Sequence, residues 1–94
     1  MKKEGEYLLK YIKNDTYLKL VKQYSYCLEE ISNNRRDVEL NIRYLLKLGV
    51  HHIDYVVLER IDDLLLLHSE FLEKMRHLQE NFSDSDFVDV LENS

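Results

Sequence analysis

The chain has no proline, no tryptophan and no alanine, two glycines (Gly5 and Gly49) and one cysteine, Cys27. Two glycines and no proline exclude collagen-like and low-complexity linker character. One cysteine excludes a disulfide-stapled scaffold, and a lone Cys27 reads as an inert thiol in a reducing compartment. The longest apolar runs, Tyr55–Leu58 and Leu64–Leu67, are far short of the roughly 18–20 residues of a membrane span. The lysine-bearing start has neither the apolar stretch nor the small-residue cleavage site of a secretory leader. An intracellular protein, cytoplasmic or nuclear, is therefore expected.

Within 94 residues, 45% of them hydrophobic, one all-α domain over 1–94 is expected. Charge is unevenly spread. Residues 1–24 carry six Lys against Glu4, Glu6 and Asp15; residues 25–49 balance Arg35, Arg36, Arg43 and Lys47 against four acids. The remainder is acidic, and the whole chain has a net charge of −5. A basic start and an acidic end suit a chain that folds back on itself or packs head to tail on a copy.

With so few breakers, apolar spacing decides the elements. Tyr17, Tyr24, Ile31, Val38 and Leu45 repeat every seven residues, with Leu20, Cys27, Asn34, Asn41 and Leu48 as partners. This spacing predicts one amphipathic helix over 16–48, N-capped by Asp15 and stopped by Gly49. Val57, Leu64, Phe71 and Leu78, alternating with Ile61, His68, Met75 and Phe82, predict a second over 53–82. A four-residue connector makes the two a long antiparallel hairpin. A short helix over 3–13 precedes it. Ser83, three residues before Asp86, caps a short acidic helix over 84–92, with Phe82 and Phe87 as its staple and Val90 and Leu91 on its apolar face.

The second helix carries a third apolar row, Leu58, Leu65 and Leu72, and each Leu left bare forgoes roughly 1.5–3 kcal/mol. A bundle completed by self-association or by another helical protein is the expectation. Tyr17, Tyr24, Leu28, Ile31, Leu58, Leu65, Leu66, Phe71, Leu72 and Met75 are its candidate interface. Asn34 and Asn41, at seam positions, and His68 opposite them form a candidate polar layer that sets register. Simple register places Asn34 near Leu67 and His68, and Asn41 near Arg60.

Chemistry is sparse. The four His lack the spacing and co-ligands of a zinc or di-metal site, so no metal and no cofactor are expected. Glu59, Asp63, Glu70, Glu73 and Glu80 line one helix face as a solvated row, and no nucleophile elbow or phosphate loop is present. An enzyme is not expected. The favoured reading is a non-enzymatic interaction module: a small subunit, adaptor or inhibitor. The alternative is a nucleic-acid-binding regulator that stacks bases on Tyr7, Tyr11, Tyr17, Tyr24 and Tyr26 and pairs Lys10, Lys13, Lys19 and Lys22 with phosphate. The run Val88-Asp89-Val90-Leu91 after its acidic, serine-bearing lead resembles a SUMO-interacting motif, which implies addition of a strand to a sheet edge.

Overall fold

Gly49 ends the first half of the chain in the left-handed conformation, with φ 112°. Its amide donates to the Leu46 carbonyl at 3.2 Å, and the Val50 amide reaches back to Leu45 at 3.1 Å. These two reverse bonds satisfy carbonyls that a helix end leaves open. The structure, a computed structural model, describes residues 5–93. Among the described residues it is all-helical, with α1 at Asn14–Gln23, α2 at Leu28–Asn33, α3 at Arg35–Leu48, α4 at Ile53–Glu59, α5 at Ile61–Leu64, α6 at His68–Gln79 and α7 at Asp84–Asn93. The helix expected over 3–13 is a 3-10 helix at Glu6–Lys10; its residues 3 and 4 lie outside the described ones.

Neither long helix of the expected hairpin is continuous. A single helix over 16–48 would be about 50 Å long, whereas the longest dimension of the fold is 45 Å. The first stretch breaks at Tyr24 and Asn34, the second at Arg60. All three share one backbone conformation, with φ/ψ of −125°/38°, −106°/30° and −122°/30°. This bridge region interrupts a helix without reversing it. At Asn34 the cause is local. Ser32-Asn33-Asn34 are weak helix formers, and the Asn34 side chain turns back to the Glu30 carbonyl at 3.0 Å. Tyr17, Leu20, Cys27, Ile31 and Val38 all remain buried, so the bends leave the seven-residue frame on the inner side.

The bends let one chain close its own core. α3 packs on α4, α5 and α6, while α1 and α7 both cover α4 and α7 also lies on α6. Asp15 sits in the first turn of α1 and is not its cap; Lys13 holds that position without a side-chain bond of its own. The cap comes from α4, where Asp54 Oδ2 accepts the Lys13 amide at 2.8 Å and the Thr16 hydroxyl at 2.7 Å. Burial pushes the Asp54 carboxyl up, but these two bonds and the Lys13 charge hold it below its ordinary value. Ser83 caps α7 as its sequence context predicts, its Oγ accepting the Asp86 amide at 3.2 Å.

The fourth interruption, Leu65–Leu67 between α5 and α6, is held by α3. Asn41 is fully buried, and its Nδ2 donates to the Leu64 and Leu66 carbonyls, both at 3.0 Å. Its Oδ1 meets His68 Nδ1 at 2.8 Å. Because Asn41 Nδ2 is the donor to two carbonyls, its Oδ1 is the acceptor, so the His68 proton resides on Nδ1. One turn earlier, Asp37 Oδ1 accepts the His68 amide at 3.0 Å and caps α6. Asn41 therefore faces residues 64–68 and not Arg60. Asn34 is a local cap whose side chain bonds back to the Glu30 carbonyl.

Asn41→Leu leaves two buried carbonyls without donors and should lower unfolding free energy by about 2–4 kcal/mol. Asn34→Ala, which removes a half-exposed local bond, should cost about 1 kcal/mol or less. Urea denaturation of both variants checks the contrast; equal losses would contradict this assignment.

Candidate interaction surface

Most of the chain's ionisable groups that face inward hold helix joints. Glu92 on α7 accepts the His51 amide at 2.7 Å and faces His52 Nε2 at 3.8 Å, which ties the last helix to the connector before α4. Asp63 pairs with Arg60 at 3.3 Å and with Lys74. Tyr7 donates to the Ile31 carbonyl at 2.5 Å, and burial pushes its phenol well above the ordinary range.

Glu39 is the strongest of these nodes. It lies on α3 with a side chain only 12% exposed, and it receives Lys10 Nζ at 3.0 Å, the Tyr11 hydroxyl at 2.5 Å and Arg35 Nε at 2.8 Å. Arg43 stands 3.9 Å away, and Arg35 also lies over the Tyr7 ring at 5.2 Å. Burial pushes the Glu39 carboxyl up, but the bonds from Arg35, Tyr11 and Lys10 and the Lys10 charge dominate, leaving it at about 2. Glu39 thus fastens the N-terminal 3-10 helix to α3 and neutralises the middle of a cationic surface.

That surface is the outward side of α3. Arg36, Leu40, Arg43 and Lys47 follow one another at four-, three- and four-residue steps, so they share one face. Arg36, Arg43 and Lys47 are exposed and Leu40 is half-buried. Arg35, Arg36, Glu39, Leu40 and Arg43 line a shallow groove there, and Leu46 beside it is 41% exposed. Among the described residues Arg36 and Lys47 enter no ion pair. The balanced charge of residues 25–49 is therefore divided in space. Asp37 is turned to the α6 cap and Glu39 is enclosed by cations, while the basic side chains face water. Sequence reading missed this stripe because it counted charge by segment; sorting the same residues by helix face would have found it.

The ten candidate interface residues divide in two. Tyr17, Ile31, Phe71 and Met75 are shut inside the core of the single chain. Tyr24, Leu28, Leu58, Leu65 and Leu66 are half-buried against that core, and Leu72 is half-exposed on α6. Leu67, next to Leu66, is the leucine most open to solvent, at 55%. Asn41 and His68 are brought together, and the Asn34 side chain bonds to Glu30. In the C-terminal helix Phe87 and Leu91 are buried, Phe82 and Val90 are exposed, and Ser83 and Asp86 form the cap. The stretch that resembles a SUMO-interacting motif is thus helical, with Val88 and Leu91 turned into the core.

Of the tyrosines proposed to stack on bases, Tyr17 is buried and Tyr7 and Tyr11 are hydrogen-bonded to Ile31 and Glu39. Tyr26 is open, with its ring 6.1 Å from that of Tyr24. Cys27 is buried, which pushes its thiol up and away from the reactive thiolate. Among the described residues no cluster of three metal-ligating side chains forms, and no helix is long and apolar enough to cross a membrane.

Because Glu39 titrates at about 2 in the fold against an ordinary 4.5, it stabilises the protein above pH 4.5, and that contribution disappears as pH falls from about 4.5 to about 2. Glu39→Gln should therefore be less stable than the parent at neutral pH, the gap narrowing through this window. Thermal melting at stepped pH checks it; a gap independent of pH would contradict the assignment.

Comparison with protein-family models, with curated proteins and with solved structures returned no match.

Proposed function

We propose that the chain is a non-enzymatic helical interaction module that engages a protein partner through the outward face of α3. The observation that carries this reading is the segregation of Arg35, Arg36, Arg43 and Lys47 around Leu40 on one exposed helix face of a chain whose net charge is −5. A structural helix needs its inner face, and α3 meets that need with Val38, Asn41, Ile42 and Leu45. Arg35 and Arg43 also serve Glu39, but among the described residues Arg36 and Lys47 enter no ion pair and face outward beside a half-buried leucine. Arginine beside apolar area is a combination favoured at protein interfaces. As a small subunit, adaptor or inhibitor, the chain would present this face on a core it builds for itself.

A nucleic-acid partner is the weaker reading. The acidic remainder of the chain repels a polyanion, and three of the five N-terminal tyrosines are committed to the core or to hydrogen bonds.

A photo-reactive side chain placed at Leu40, with another at exposed Glu29 as control, tests the reading in extract of the source cells. The expected result is a discrete protein adduct from position 40 that is lost in Arg36→Glu/Arg43→Glu and is not formed from position 29. An adduct to RNA, or no adduct that depends on these arginines, would overturn it.

A further inference from the structure

The acidic C-terminal helix offers a matching surface. α7 is held in place on its inner side by Phe87, Val88 and Leu91 and at its ends by Glu92 to His51 and Gln79 to Asp84. This anchoring turns Asp86, Asp89, Val90 and Asn93 outward, and all four are exposed. Val90, 38% exposed, directly follows Asp89 and lies one turn after Asp86. The outward faces of α3 and α7 are thus opposite in sign: Leu40 has cations on both sides along its helix, and Val90 has two aspartates on its N-terminal side and the neutral Asn93 beyond it. The outward residues Asp86 to Asn93 run about 10 Å and fit within the about 16 Å from Arg36 to Lys47.

We propose that the basic outward face of α3 docks the acidic outward face of α7 from a second copy of the chain. The inference rests on the proposed function, whose partner it names. In the contact, Val90 lies over the Leu40 groove, Asp86 and Asp89 meet cations on one side of it, and Asn93 lies toward the other. Because the two faces belong to different helices, the contact is heterologous, and it adds subunits head to tail until a ring closes or the chain grows. One helix lying in one shallow groove is a small interface. Association is therefore weak, concentration-dependent and strongly weakened by salt.

Light-scattering mass across a dilution series tests it, at about 0.01 M salt, where charges act over ~30 Å, and at about 1 M, where they act over ~3 Å. The expected result is a mass that rises with concentration above 11.4 kDa at low salt and returns to 11.4 kDa at high salt. Arg36→Glu/Arg43→Glu should be monomeric under both conditions, and so should Asp89→Lys/Asn93→Lys. An equimolar mixture of the two variants should regain association, because each supplies the face the other now needs. Circular dichroism should show parental helix content in both. A parent that stays monomeric at every concentration overturns the inference, as does a mixture that fails to associate. An arginine-dependent adduct from Leu40 to a different protein, with a monomeric parent, would retain the interaction reading and reject self-docking. Absence of any such adduct together with a monomeric parent would reject both.

Discussion

The bond set around Asn41 is the constraint on which the remaining packing depends. A helix end exposes carbonyls that need donors, and here the end of α5 lies against α3, with Leu64 buried and Leu65 and Leu66 half-buried. The Asn41 amide supplies both donors from across the bundle, to Leu64 and Leu66, and its oxygen fixes the His68 ring. Asp37, one turn away, starts α6 by accepting the His68 amide. The joint between α5 and α6 is thus imposed by another helix, and the direction of α6 follows from it. Once α6 lies along α3, Phe71 and Met75 fill the core and Tyr44 meets Phe71 edge-on at 5.8 Å.

The same device recurs at the other joints. Asp54 on α4 starts α1, Glu92 on α7 holds the connector before α4, and Glu39 on α3 gathers Lys10, Tyr11 and Arg35. In each case an acid serves a neighbouring element. The inward acids are consumed in this way, and the outward face of α3 is left cationic in an acidic protein. The inner chemistry of α3 sets the fold, and its outer chemistry is what the fold leaves exposed.

The helical class, the Gly49 stop and the Ser83 cap were legible in the sequence because each depends on residues within a few positions of one another. The seven-residue repeat correctly identified the inward side, as Tyr17, Ile31, Val38 and Leu45 show. It could not reveal the bends at Tyr24 and Arg60, since a bridge-region residue hardly disturbs the period. Four consecutive leucines hid the Leu65–Leu67 joint, whose cause lies about 25 residues away in Asn41. Asp37, Glu39 and Asp54 were legible as helix surface charges only, because their partners are set by tertiary packing. The pairing of Asn41 with His68 was within reach as a polar layer, although its register depended on bends that the pattern conceals.

Residue-resolved hydrogen exchange at the joint tests this account most directly. The account predicts that the Asn41 side-chain amide and the His68 backbone amide exchange slowly, with the protection of the core, while the Asn34 side-chain amide exchanges fast. Fast exchange at Asn41 and His68 in an otherwise protected fold would show that α3 does not hold the α5–α6 joint, and would contradict this packing.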